Sequence, residues 1–374
     1  MTAKEIINEK YEDLLDFARS QEDTIERGYE DACLVVTHTD LDGVGGNIIS
    51  WFVQNYFSDK EDAPKWIQNF KHLVVYNAET GTVEDTISDF VNLCGMPRQI
   101  IVNDLSFLNS GDDTNEVAEY LESKTNLIVF DHHPSAEWMN KYAFAHVHPT
   151  GHGSASKIFL DNVLDAVKDQ CINTSDEMRI DVLKNYIDTV SRYDTWEWRT
   201  NPKYMFDEYE NILFDLYGQD VYIDRVTDMI AAQRDVMATY TESTLIENYI
   251  DKRDKKNESV SKKLHQISFK GYTMLMSLTP IGISSFSDEI SRYLPEQFLQ
   301  PDTIIAVFYA DNRVLSMRST EDSLIDLSRI AVELCENSDG GGHKKAAGCK
   351  LSVEDSMELI KLYYESESLP ILLN

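Results

Sequence analysis

Four short apolar runs recur early in the chain, at residues 33–37 (CLVVT), 73–76 (LVVY), 99–103 (QIIVN) and 127–130 (LIVF). Each is a nearly continuous hydrophobic stretch rather than an alternation, the pattern of a strand buried on both faces. Between them, at 47–57, 83–94 and 114–123, apolar residues recur at helical spacing. Strands alternating with helices in this rhythm give a parallel sheet covered by helices on both sides. In such sheets ligands bind beyond the carboxyl ends of the strands. Asp40, Asp104 and Asp131 each follow closely on one of these runs.

From about Gly153 the chain reads as mostly helical, through 180–193 and on to Tyr249. Residues 250–263 (IDKRDKKNESVSKK) are charged and offer little to bury, which marks a domain boundary. Beyond it, strand-like runs at 265–278, 303–309 and 313–318 mix with helical patterns at 285–294, 325–335 and 353–364. A length of 374 residues suits two domains rather than one core. The expected fold class is α/β: a parallel sheet flanked by helices, a helical linker, and a smaller α+β domain. The boundaries follow as 1–30 for an N-terminal helical extension, 31–235, 236–263 for the linker, and 264–374. In the extension, Ile6, Ile7, Leu14, Leu15, Phe17 and Ala18 lie near helical spacing, which reads as packing or a homodimer contact.

Charge and cysteine usage narrow the setting. No apolar run reaches the ~18 residues of a membrane span, and the N-terminus is charged without a signal-like core. Five cysteines are scattered without a CxxC pair, so disulfides and zinc ribbons are not expected and a cytoplasmic location fits. The net charge is −31; from Lys262 onward there are 11 basic and 16 acidic residues, so the preceding residues carry −26. A protein that coats long nucleic acid needs the opposite sign.

Four segments carry chemistry: Thr37–Gly46 (THTDLDGVGG), Asp104, Asp131-His132-His133-Pro134, and Asp194 within RYDTWEW. At i, i+2 and i+4 of a strand-end loop, His38, Asp40 and Asp42 can point the same way, with the glycines allowing a tight turn into the next helix. Any one of these segments could equally be a helix cap, a turn or a packed histidine pair. Together they point to a metal site. Carboxylates favour hard divalent ions, and imidazoles shift the preference toward Mn²⁺, with Mg²⁺ as the alternative. Two such ions about 3.5–4 Å apart can clamp a phosphoryl displacement.

The order and content of these segments resemble the DHH phosphoesterase family, named for the triplet found here at Asp131-His132-His133. The stretch DGGGHKKAAGC, from Asp339 to Cys349, resembles the glycine-rich signature of the associated DHHA1 domain. The resemblance covers roughly residues 33–360 and is nearest to the family's oligoribonucleases, through THTDLDGVGG, RYDTWEW and LFDLY at 213–217. It implies a DHH catalytic domain over 31–235 and a DHHA1 substrate-binding domain over 264–374. It implies one divalent ion on His38, Asp40 and Asp104, and a second on Asp42, Asp104, His132 and Asp194. His133 would face the scissile phosphate and Asp131 would orient a neighbouring histidine. Substrate phosphate would meet Arg318, Ser319, Gly340, Gly341, Gly342 and His343, where glycines let backbone N–H groups approach and Arg donates paired bonds. Asp339 departs from the family pattern, where a further glycine is common. Trp196 and Trp198 read either as base-stacking residues or as core packing.

The implied activity is hydrolysis of short oligoribonucleotides, including pApA, to nucleoside 5′-monophosphates by two-metal hydroxide attack. Alternatives are a cyclic nucleotide or cyclic dinucleotide phosphodiesterase and a catalytically silent nucleotide-sensing protein. The intact Asp and His set argues against the last, and the GGGH segment argues against a pyrophosphatase. The expected partners are short oligoribonucleotides or small nucleotides, with neither long nucleic acid nor membrane among them.

Overall fold

A computed structural model of the chain describes residues 29–109, 113–149, 151–170, 172–204, 206–279, 300–319, 323–335 and 340–369, with positions 283, 286, 287, 290, 294 and 296–298. The expected N-terminal helix, most of the 285–294 helix, and Asp339 lie outside the described residues. The chain divides into two compact units, Met1–His132 with Ala136–Ala238, and Thr239–Asn374 with His133–Ser135.

In the first unit the apolar runs form strands β1 (Cys33–His38), β2 (Leu73–Ala78), β3 (Gln99–Asn103) and β4 (Asn126–Asp131). A three-residue strand β5 (Ala145–Val147), too short to show a pattern in the sequence, completes an all-parallel sheet of order β2-β1-β3-β4-β5. Helices α1 (Leu41–Tyr56), α2 (Val83–Cys94) and α3 (Glu116–Glu122) connect the strands, and α4 (Ala155–Val167) and α5 (Thr174–Asp194) follow. Two further helices, α6 (Glu208–Tyr217) and α7 (Gln219–Ala231), end the unit. Both faces of β1 are buried, as its unbroken apolar run requires. Leu34, Val36, Ile100, Val102 and Val129 pack with Val83, Ile87 and Phe90 of α2 and Leu121 of α3. Across the sheet, Phe130 stacks on Phe159 of α4 at 4.7 Å between ring centroids.

Helix α1 begins at Leu41, not at 47. Asp40 is its N-cap, its Oδ1 accepting from the Gly43 amide at 3.0 Å, so the DGVGG sequence is helix rather than loop. Close approach explains its glycines better than turning does. A Cβ on Gly43 would lie 2.1 Å from the His38 carbonyl oxygen, and one on Gly46 would lie 2.4 Å from Nδ2 of Asn103. Side chains there would push α1 off the ends of β1 and β3.

The second unit opens with α8 (Tyr240–Ser261), which absorbs most of the charged 250–263 segment. Its charges pair along the helix, Lys255 with Asp251 at 2.6 Å and Lys262 with Glu258 at 2.9 Å. The 265–278 run is two strands, β6 (His265–Phe269) and β7 (Tyr272–Ser277), separated by a turn at Lys270 and Gly271, both with positive φ. With β8 (Ile304–Tyr309), β9 (Val314–Ser319), β10 (Gly341–His343) and β11 (Ala346–Lys350) they form a mixed sheet of order β10-β11-β9-β8-β7-β6. Helices α9 (Leu327–Leu334) and α10 (Val353–Glu365) place Leu327, Ile330, Leu334 and Leu359 in a core with Phe308, Leu315 and Met317. The architecture is thus the expected α/β class: a parallel sheet with helices, a helical middle and a mixed C-terminal sheet. Among the described residues no helix is long and apolar enough to cross a membrane. Cys33, Cys94, Cys335 and Cys349 are free thiols.

Candidate metal centre

The sheet order decides where the polar strand ends meet. From β1 the chain runs to β2 on one side and returns to β3 on the other, so the switch point lies between β1 and β3. His38 ends β1, Asp40 caps α1, and Asp104 follows β3; Asp131 ends β4 one strand further on. Asp194 arrives separately, as the last residue of α5.

Asp104 holds the middle of the cluster. Its backbone is left-handed (φ 59°), an uncommon state for a residue with a side chain, and its amide donates to the Phe130 carbonyl at 2.9 Å. Its two oxygens face different histidines: Oδ2 lies 3.6 Å from Nδ1 of His38, and Oδ1 lies 3.4 Å from Nε2 of His132. His38 Nδ1 also lies 2.9 Å from Asp40 Oδ2, and His132 Nε2 lies 3.2 Å from Asp194 Oδ2. Asp42 points into the protein, not into a loop. Its oxygens accept from the Ala155 amide at 2.8 Å, the Ser156 amide at 3.2 Å and the Ser156 hydroxyl, all at the start of α4. The positive end of that helix suits a carboxylate. Asp131 is buried and its Oδ1 accepts from the His132 amide at 2.7 Å.

Among the described residues of this unit, donor atoms lie within 4.8 Å of one another inside the group His38, Asp40 and Asp104 and inside the group Asp42, His132 and Asp194. The donor set fits divalent cations. Asp42 and Asp104 are 1% and 2% exposed, and burying carboxylates together is costly without cations between them. Burial, then the charges of Asp104 and Asp194, push the Asp42 carboxyl well above the usual range. Burial alone would lower His38, but hydrogen bonds with Asp104 and Asp40 raise it to about 11. His132 is likewise raised against its burial by Asp194, Asp104 and Asp42. The carboxylates favour positive charge at both rings, and divalent ions ligated by those rings would meet the same electrostatic need.

Two contributors have no place in the motif reading. Glu79 follows β2 just as Asp104 follows β3; its Oε2 lies 3.9 Å from His38 Nε2 and its Oε1 accepts from the Thr39 hydroxyl at 3.0 Å. An acid after an apolar run was the available signal. Ser156, which grips Asp42 from 114 residues away, had no such signal.

In the second unit, Arg318 pairs with Ala346 and Ala346 with His343, so these positions form one row across β9, β11 and β10. The Ser319 amide donates to the Lys345 carbonyl at 3.1 Å. The three glycines divide by their surroundings. A Cβ on Gly340 would lie 2.2 Å from the Ala331 carbonyl oxygen, and Gly342 (φ 127°) would meet the Ala346 carbonyl oxygen at 2.5 Å. Gly341 has open space. Packing within the unit thus requires glycine at 340 and 342, whatever their backbone amides bind.

No family model matches the chain. It is 24% identical over 332 residues to the Bacillus subtilis (strain 168) protein named Oligoribonuclease NrnB, covering 85% of this chain and 72% of that protein. Among solved structures it is similar to the DHH domain of a member of the s1p family of ribosomal proteins. That match has a TM-score of 0.55 and 13% identity, and covers 89% of this chain and 86% of the other.

Proposed function

We propose that the chain is a DHH/DHHA1 phosphoesterase whose metal centre hydrolyses short oligoribonucleotides to nucleoside 5′-monophosphates. The observation that carries the reading is Asp104, whose two oxygens face His38 on one side and His132 on the other. That arrangement suits one carboxylate shared by two ions. In this reading His38, Asp40 and Asp104 hold the first ion, and Asp42, Asp104, His132 and Asp194 hold the second. Two Mn²⁺ ions, or Mg²⁺ in their place, would supply positive charge at the phosphoryl oxygens and acidify the attacking water. His133 is the donor to the scissile phosphate, and Asp131 fixes His132 through its amide. Ser156 and the Ala155 amide keep Asp42 oriented. In the second unit, Arg318, Ser319, Gly340, Gly341, Gly342 and His343 are read as phosphate-binding positions, with the Arg318 guanidinium suited to paired bonds.

The named relative supports oligoribonucleotides as the substrate class, and the charge supports short ones. With −26 on the residues before Lys262, each added phosphate needs its own cation or meets repulsion. The test is a panel with Mn²⁺: pApA, RNA of two to 24 nucleotides, cyclic mono- and dinucleotides, and pyrophosphate. The expected outcome is highest kcat/KM on the shortest RNAs, 5′-monophosphate products, and loss of activity on chelation. Preference for a cyclic substrate, or inertness toward all of them with Mn²⁺ bound, would overturn the proposal.

A further inference from the structure

Within the first unit, on segments continuous with those that carry Asp194 and hold Asp42, lies an open pocket of about 410 Å³ lined by His152, Gly153, Lys157, Arg192, Glu197 and Tyr204 among others. That volume is in the range of small-molecule sites, about 300–1,000 Å³. We infer that it is a nucleoside subsite, taking a base and ribose of the oligonucleotide whose phosphate the centre holds; the inference rests on the function proposed above.

Its place comes from what its walls are joined to. Gly153 leads directly into Ser154–Ser156, the segment whose amides and hydroxyl hold Asp42. On the opposite wall Arg192 stands two residues before Asp194, and Glu197 three residues after it. The walls are tied together where the Ser154 amide donates to Ser191 Oγ at 3.0 Å. The pocket therefore shares its framework with two of the carboxylates assigned to the second ion.

Its chemistry excludes a phosphate as the occupant. Lys157 Nζ lies 2.9 Å from Asp161 and 3.3 Å from Asp188. Arg192 is engaged by both oxygens of Asp207, at 2.6 and 3.2 Å. Lys157 and Arg192 face Asp161, Asp188 and Glu197 in the lining, so the acids outnumber these cations and a dianion would be repelled. What remains is a mixed donor and acceptor surface with aromatic rings. Tyr204, stacked on the Arg192 guanidinium at 4.3 Å, is braced as a platform, and His152 adds a second ring. A nucleoside matches this: a flat base that stacks, an edge with donors and acceptors, and ribose hydroxyls that donate to carboxylates.

Two arms test the subsite in the full-length protein. The first measures adenosine binding to metal-free protein by calorimetry, with wild type, Tyr204→Phe, Tyr204→Ala and His152→Ala. Adenosine should bind wild type and Tyr204→Phe alike, and at least tenfold more weakly to both alanine variants. Absence of binding to wild type, or equal affinity across the series, overturns the subsite. The second arm compares hydrolysis of pApA with that of its abasic analogue. Tyr204→Ala should raise KM for pApA about tenfold, leave kcat within twofold, and leave the abasic substrate unchanged. An equal loss on both substrates assigns Tyr204 a structural role and overturns the inference. If wild type cleaves no oligonucleotide, the proposed function fails, while the adenosine arm still decides the subsite.

Discussion

The two units assemble their candidate residues by opposite physical routes. In the first, charge is buried: Asp42, Asp104, Asp131 and His132 are each at most 4% exposed. In the second, Arg318, Ser319, Gly340, Gly341 and Gly342 are half-buried positions at strand ends and in a hairpin, so nothing costly is desolvated. Buried carboxylates repel one another unless cations or hydrogen bonds intervene, so the first site is costly to the metal-free fold. A half-buried guanidinium on a strand costs the fold little, and in the proposed reading it meets the substrate's phosphate. Residues of the first kind should govern chemistry and metal-linked stability, and residues of the second kind should govern grip.

The largest effect that separates the two comes from Asp104→Ala. Activity in excess Mn²⁺ should fall below a few per cent of wild type, because one carboxylate is assigned to both ions. The melting temperature of the metal-free protein should change little, since the loss of a buried negative charge is offset by the loss of its contacts with His38 and His132. Both are read by initial rates and by thermal unfolding with chelator. Activity above that level would remove Asp104 from the shared position.

Ser156→Ala follows. It touches no substrate in the proposed reading, yet it removes a hydroxyl that holds Asp42. Outer hydrogen bonds of this type typically tune metal affinity by about 10–100-fold. Weaker Mn²⁺ binding by calorimetry is expected, with activity restored at saturating metal. Unchanged affinity would mean that the backbone amides of α4 suffice.

Arg318→Ala and His343→Ala sharpen the other side. A lost charge-assisted hydrogen bond is worth ~1.5–3 kcal/mol, roughly a tenfold to hundredfold rise in KM, with kcat changed much less. Mn²⁺ affinity should not move. Normal substrate binding by both variants, measured in an Asp104→Ala background, would take the grip away from the second unit.

Salt should give the smallest effect. Raising ionic strength toward physiological values shortens the screening length to about 8 Å. The rate advantage of short RNA over long RNA should narrow by a few-fold, because repulsion from the acidic surface is screened. A steep loss of activity on long RNA with added salt would instead reveal a basic channel hidden by the net charge.

Much of this was legible in the sequence because it depends on local periodicity. The unbroken apolar runs specified β1 to β4, and Val83–Cys94 began and ended where its helical pattern did. The same runs put His38, Asp104 and Asp131 at strand ends, and the DHH triplet and the glycine-rich segment singled out the candidate residues in both units. Local pattern could not supply the strand order β2-β1-β3-β4-β5, which sets His38 and Asp104 on neighbouring strands at the switch point. Nor could it supply the left-handed backbone of Asp104, which is held by a hydrogen bond from its amide to Phe130, 26 residues away. Asp42 looked like a loop residue because DGVGG looks like a turn. Its helix exists because those glycines let α1 close onto the His38 carbonyl and the Asn103 side chain. Periodicity is a property of one segment and its own side chains. The convergence of Asp42, Asp104, His132 and Asp194 is a property of strand order and helix packing between segments far apart in the chain, and only the tertiary structure could decide it.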